Sequence, residues 1–229
     1  MRYVVTGTSR GIGLEFVRQL LARGDQVVAG ARAADRVPLL QALQAAHPRQ
    51  LLVLPCDVTD AESVATFAAA GGQEPVDVLI NNAGLSGSKG TIDDLEFDAL
   101  RAQFEVNAVG PLRVTTALLP ALRRGQGRKI ANIGSERASL HNNTTGGRYP
   151  YRMSKAALNA ASRSLAADLK AEGLAVVVLH PGWVQTRMGG PEAPVPVPES
   201  VTGMLRVLDS LTVETTGRFV DYLGHEIPW

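Results

Sequence analysis

Tyr151 and Lys155 stand four residues apart in "YRMSKAAL", at the opening of a segment rich in alanine and leucine. At helical spacing both side chains leave the same face, one turn apart, so a phenol and an ammonium share one small volume. A free tyrosine ionises near pKa 10, too high for a base at neutral pH, and a nearby ammonium stabilises its phenolate. A surface pair that happens to be adjacent gives the same spacing, so the rest of the chain has to decide between the two.

A second constellation lies at the start of the chain. "TGTSRGIG" follows the apolar run "RYVVT", and "LEFVRQLLARG" follows it, which makes a strand, a glycine loop and a helix N-terminus in succession. Such a junction presents free backbone N–H groups and the positive end of a helix dipole to an anion. Gly7 permits the turn, Gly11 lets a pyrophosphate approach the backbone, and Gly13 allows helix and strand to pack closely; Ser9, Arg10 and Ile12 complete the loop. An NAD site carries an acid about twenty residues further on, at the end of the second strand. That strand ends "VVAGAR", with Arg32 where an acid would stand, and Arg10 offers a second positive charge. Two guanidinium groups suit a 2′-phosphate and point to NADP(H) in preference to NAD(H). Asp35 is close enough to complicate that electrostatic picture, and solvated surface arginines are the alternative.

Positioning these groups falls to an alternation of short and long segments. Strands are predicted at 2–6, 26–31, 51–56, 76–80, 129–134, 175–180 and 218–222, and helices at 12–23, 36–46, 60–70, 93–123, 151–172 and 200–211. "TDAE", from Thr59 to Glu62, reads as a capping box for the third helix, and Gly173 as the stop of the fifth. Continuous apolar strands alternating with helices predict a doubly wound, seven-stranded parallel sheet covered on both faces, with ligands bound beyond the carboxyl ends of its strands. "GGPEAPVPVPES", at 189–200, is too rich in proline for helix or central strand and reads as a loop lying over something.

The bulk numbers agree with one α/β domain: 229 residues, 45% hydrophobic, 20% charged and a formal net charge of +1. Without a run of like charge, nothing suggests a nucleic-acid groove or a membrane-binding face, and a small molecule is the expected partner. The single cysteine, Cys56, lies in "LLVLPCDV" and reads as core packing. The glycine loop begins too early for a signal peptide and no apolar run is long enough to span a membrane, so the expected location is cytoplasmic. No metal site is expected.

Taken in order, "TGTSRGIG", "CDV", "NNAG", "VN", "IGS", "YRMSK" and "PGWVQT" resemble the motifs of the classical short-chain dehydrogenase/reductase (SDR) family, and the resemblance covers essentially the whole chain. "PGWVQTRMGG" and the tail "GRFVDYLGHEIPW" look closest to the branch of C-factor signalling proteins and sniffer-type carbonyl reductases. The resemblance implies a single Rossmann-fold domain over 1–229, with a cofactor half at about 1–125, a catalytic and substrate half at about 126–229, and a short proline-rich lid at about 183–199. It implies that Tyr151 gives or takes the proton, that Lys155 supports it and binds the nicotinamide ribose, and that Ser135 hydrogen-bonds the substrate oxygen. Asn107, in "FEVNAVGPL", would support a water-linked proton path to the lysine; a buried amide fixing a bend beside Gly110 and Pro111 is the other reading, and the two can coexist.

Cofactor contacts are implied for Asp57 and Val58 at the adenine, for Asn82, Ala83 and Gly84 beside the adenosine ribose, and for Pro181, Gly182, Val184 and Thr186 along the nicotinamide. Tyr149 competes for the proton-transfer role. The residue one turn after it is Met153, which cannot activate a phenol, so Tyr149 is assigned with Trp183 to the substrate pocket. Ser154, Asn159 and His180 read more simply as packing groups. Relatives assemble through their long helices, so a homodimer or homotetramer is expected.

Two departures from the family stand out. Ser135 and Tyr151 are sixteen residues apart, farther than is usual, and the polar loop between them carries His141, Asn142 and Asn143. Arg187 follows Thr186 where close relatives more often have an acid; a cation at the pocket rim would attract an acidic substrate or a cofactor phosphate. The expected activity is NADP(H)-dependent carbonyl reduction or alcohol oxidation. The alternative is a nucleotide-bound signalling or regulatory protein with little or no turnover.

Overall fold

A computed structural model of the protein describes residues 1–87 and 90–229. Seven strands, β1 (Arg2–Thr6), β2 (Gln26–Ala31), β3 (Leu51–Pro55), β4 (Val78–Asn81), β5 (Lys129–Ile133), β6 (Ala175–His180) and β7 (Arg218–Asp221), form one sheet in the order β3-β2-β1-β4-β5-β6-β7. Every neighbouring pair is parallel. Parallel neighbours require crossovers, which here are helices on both faces. Helices α1 (Gly11–Ala22), α2 (Pro38–Ala46) and α7 (Val197–Ser210) cover one face, and α3 (Ala61–Gly71), α5 (Gly110–Arg124) and α6 (Tyr149–Leu169) the other.

Because successive side chains on a strand point to opposite faces, Tyr3 and Val5 join the core under α1 and α7, while Val4 joins that under α3 and α5. Both faces are buried, which accounts for the continuous apolar character of "YVV" and "AVVV". The registers Thr6 to Gly30, Asn81 to Asn132 and Ile133 to Leu179 bring the carboxyl ends of the strands level. The strand order reverses between β1 and β4, so the crevice of the sheet opens between the glycine loop and "NNAG".

The long predicted helix is broken into parts. It begins with α4 (Phe97–Phe104), four residues later than expected, passes through a π-helical stretch (Glu105–Val109), and continues as α5. Pro111 has no N–H to give the carbonyl of Asn107, so the regular ladder fails there, and the Gly110 N–H reaches back five residues to Glu105 O. The cap of α3 is Asp60, not Thr59: its carboxylate accepts the N–H groups of Glu62 and Ser63 at 2.8 and 3.1 Å, while the Thr59 hydroxyl donates to Asp57 Oδ1 at 2.7 Å. The proline-rich segment ends sooner than expected, because α7 begins at Val197 with Pro198 in its first turn, where no N–H is needed. Gly173 stops its helix as expected, in a left-handed conformation with φ 77°.

Candidate active site

Gly7 and Gly11 have φ of 71° and 55°, in the left-handed region that favours glycine. A Cβ on Gly7 would lie 2.7 Å from the Ala83 Cα, and one on Gly13 would lie 2.2 Å from the Gly7 carbonyl oxygen, so loop, helix and β4 meet with no room for side chains. Asn82 sews this junction: its side-chain amide donates to the carbonyls of Thr6 and Gly7 at 2.9 and 3.1 Å. The Thr6 hydroxyl accepts the N–H groups of Asn82 and Ala83, both at 3.1 Å. Across the crevice, Thr186 Cγ2 would be 3.4 Å from a Cβ on Gly11, which brings the segment after β6 to the same loop. The bare glycine backbone at the start of α1 and the crevice above it fit the pyrophosphate of a dinucleotide.

At the outer end of the crevice, Arg10 and Arg32 are exposed, and among the described residues neither forms an ion pair. Asp35 faces Arg36 at 3.9 Å. Burial alone would raise the pKa of Asp57; hydrogen bonds from the Thr59 hydroxyl and N–H, with the charge of Arg32, hold it below the usual carboxylate value. Val58 is buried beside Gly110, where a Cβ would meet its Cγ2 at 2.9 Å.

At the inner end, Ser135 follows β5 and Tyr151 lies in the first turn of α6. Burial pushes the Tyr151 phenol up, and the Ser135 hydroxyl, Arg148 and Arg137 oppose that rise. Lys155 is buried, its Nζ donating to Ile133 O at 2.7 Å, and burial pushes its pKa down to about 8. A Cβ on Gly84 would come within 3.8 Å of this Nζ and 3.6 Å of Asn107 Oδ1, so "NNAG" passes directly over both. Asn107 is fully buried. Its Oδ1 accepts the Leu85 N–H, and its Nδ2 donates to Leu85 O, each at 2.8 Å, and also to Ser154 Oγ at 3.0 Å. The amide therefore clamps the segment after Gly84 to α6.

Of the expected pocket residues, Tyr149 is half-buried at the start of α6 and Trp183 is 55% exposed, its indole donating to Gly189 O at 2.7 Å. The lid segment folds on itself: Gln185 N–H donates to Val195 O and Val195 N–H to Trp183 O, at 2.9 and 3.1 Å. Pro181, Gly182 and Val184 form its start, with the Pro181 carbonyl held by Ser200 Oγ at 2.6 Å. His180 behaves as a packed residue; burial pushes its pKa down, although Glu136, 3.9 Å away, and Asp221 act the other way. The sequence reading missed Thr6 and a buried chain in which Asn81 Nδ2 donates to Asn132 Oδ1 at 2.8 Å and Asn132 Nδ2 to Ser162 Oγ at 2.8 Å. Asparagines in the middle of apolar strands were the available signal.

A family model described as short chain dehydrogenase matches residues 2–194, and the chain belongs to that family. Among relatives, C-signal of Myxococcus xanthus is 57% identical over 155 residues, which are 68% of this chain and 93% of that protein. The NADPH-bound carbonyl reductase from chicken fatty liver superposes with a TM-score of 0.93 at 35% identity, covering 100% of this chain and 98% of the other. The carbonyl reductase Sniffer of D. melanogaster does so with a TM-score of 0.95 at 32% identity, covering 100% and 99%. These similarities put the chain in the branch that joins C-factor proteins and sniffer-type carbonyl reductases, as a single-domain oxidoreductase fold.

Proposed function

We propose that this protein is an NADP(H)-dependent carbonyl reductase or alcohol dehydrogenase in which Tyr151 is the acid/base. The observation that carries the reading is the buried Lys155, its Nζ bonded to Ile133 O at the end of the strand that leads to Ser135 and one turn after Tyr151 on α6, with the segment after the glycine-loop junction passing within 3.8 Å of it at Gly84. When bound, a nicotinamide dinucleotide supplies or accepts the hydride. Gly7, Ser9, Arg10, Gly11, Ile12 and Gly13 hold its phosphates, Arg32 and Arg10 favour a 2′-phosphate, and Asp57, Val58, Asn82, Ala83 and Gly84 line the adenosine side. Pro181 to Thr186 orient the nicotinamide end, and Lys155 holds its ribose.

In reduction, Tyr151 donates its O–H proton to the substrate oxygen while Ser135 donates a hydrogen bond to the same atom as charge develops. Its raised pKa keeps the phenol protonated and ready for that direction. The cofactor half at 1–125 and the substrate half at 126–229 meet at this point, with Tyr149 and Trp183 at the substrate side. Exposed Phe97 and Phe104 on α4 and Leu112 on α5 support a homodimer or homotetramer, and the cytoplasm is the proposed location. Among the described residues no helix is long and apolar enough to cross a membrane, and no cluster of three metal-ligating side chains occurs.

A nucleotide-bound signalling protein with little turnover is the second reading, supported by the identity to C-signal. The test follows NADPH consumption by nicotinamide absorbance across aldehydes, ketones and diketones, for wild type and Tyr151→Phe, with cofactor binding measured in parallel. The variant is expected to lose turnover by about a hundredfold or more while retaining NADPH. Turnover that survives in Tyr151→Phe sinks the assignment, and NADPH binding without turnover across the panel favours the signalling reading.

A further inference from the structure

The two peptide groups that flank Val58, in the turn between β3 and α3, carry four polar groups, and three of them have partners. The Asp57 carbonyl accepts the Asp60 N–H at 3.1 Å. The Thr59 N–H donates to Asp57 Oδ1 at 3.0 Å, and the Val58 carbonyl accepts Arg113 Nη1 at 2.6 Å. The fourth, the Val58 N–H, has no hydrogen bond among the described residues, although Val58 is buried. Buried backbone groups are nearly always paired, so the exception points to a ligand. In a trans peptide the N–H points opposite to its own carbonyl. With the Asp57 carbonyl turned into the start of α3, the Val58 N–H faces away from that helix. Beside it, Asp57 Oδ1 is taken by the Thr59 N–H and hydroxyl, and Oδ2 accepts no bond among the described residues. An adenine edge presents an amino donor next to a ring-nitrogen acceptor, the complement of a carboxylate oxygen next to a free N–H.

The near side of this turn is fixed locally, since the Asp57 N–H donates to Ser63 Oγ at 2.9 Å. Its far side is held from a distant part of the chain. Arg113 reaches over from α5, where Gly110 allows close approach: a Cβ there would meet Val58 Cγ2 at 2.9 Å. While Nη1 holds the Val58 carbonyl, Nη2 donates to Glu105 Oε1 at 2.7 Å, and both side chains are half-buried. A guanidinium is a rigid planar fork, so a carboxylate on one prong aims the other. Glu105 opens the π-helical stretch that also carries Asn107. One stretch therefore serves both ends of the crevice, the Asn107 amide clamping the chain after Gly84 and the Glu105 carboxylate aiming the guanidinium at Val58. Irregular helix of this kind often occurs at functional sites.

We propose that Arg113, aimed by Glu105, is a positioning residue for adenine recognition: its grip on the Val58 carbonyl holds the turn so that the Val58 N–H and the Asp57 carboxylate meet the adenine edge together. The proposal rests on the dinucleotide reading above, in which Asp57 and Val58 line the adenosine side. The peptide between Val58 and Thr59 is the lever. Arg113 holds its oxygen and its N–H holds Asp57 Oδ1, so a rotation of that peptide displaces the carboxylate.

The test measures by calorimetry the affinity for NADP and for its hypoxanthine analogue, in which the amino donor becomes an oxo acceptor and the ring nitrogen beside it gains a proton. The ratio of the two affinities reads the adenine edge alone. The wild type is expected to favour NADP by about tenfold or more. Arg113→Met removes both guanidinium bonds and should lower that ratio by about threefold to tenfold. Glu105→Gln should lower it by less, and Arg113→Lys, which keeps a donor for the Val58 carbonyl, should restore most of it. An arginine that serves only the fold would weaken both ligands alike and leave the ratio at its wild-type value, and that result overturns the proposal. Should Arg113→Met fold poorly, the ratio in Glu105→Gln decides in the same way. Equal affinity of the wild type for the two dinucleotides overturns the proposal and leaves dinucleotide binding standing. A wild type that binds neither removes the dinucleotide reading and the proposal with it.

Discussion

At Tyr151 burial and neighbouring charge pull in opposite directions. Burial raises the phenol's pKa, and the Ser135 hydroxyl, Arg148 and Arg137 oppose that rise. Lys155 occupies a different balance. Its ammonium is turned to the Ile133 carbonyl at 2.7 Å. The spacing of "YRMSK" did not show this. Arg32 presents a clearer case at the far end of the crevice, exposed and, among the described residues, in no ion pair. Arg32→Ala is expected to lower the ratio of NADPH to NADH affinity by about tenfold or more, read by titrating both cofactors at low salt. An unchanged ratio would remove Arg32 from the 2′-phosphate site.

Among the elements, the glycine loop works only because β1, α1 and β4 converge on it. The Thr6 hydroxyl accepts two N–H groups from the chain leaving β4, and the Asn82 amide returns two hydrogen bonds to the chain leaving β1. Thr6→Val keeps the side chain's shape and removes the acceptor, so Asn82 and Ala83 lose a partner. The expected cost is about 1–3 kcal/mol of stability, measured by urea denaturation, together with weaker NADPH binding. A variant with wild-type stability and affinity would show that the junction is held by packing alone. The glycines were legible from their spacing. Thr6 was not, because a threonine at the end of a strand is ordinary until its neighbour across the switch point is known.

Across the whole molecule, the sheet buries an ammonium on the axis of the site, and that has a thermodynamic signature. Burial pushes the Lys155 ammonium down from the ordinary lysine range to about 8, a difference on the order of 3 kcal/mol against the charged form. Between those two pH values the unfolded chain binds a proton that the folded chain has released, so this group makes stability rise with pH through that window. Cys56 acts in the opposite sense, since burial pushes its thiol up to about 12 and the folded chain keeps a proton that the unfolded chain loses. The lysine's part is therefore read as the difference between wild type and Lys155→Met, the variant being inactive yet more stable below about pH 8 by roughly 1–3 kcal/mol. A less stable variant across that range would show that the bond to Ile133 outweighs the burial cost. The fold class, the seven strands within a residue or two and the position of the glycine loop were readable from the chain, because apolar period and glycine spacing are local properties, whereas Ser135, Tyr151 and Lys155 were singled out through the family resemblance. The π-helical stretch before Gly110, the cap at Asp60 and the clamp made by Asn107 were decided by tertiary structure. Each depends on which backbone group lies opposite a side chain from a distant part of the sequence, and only the closed sheet sets that pairing.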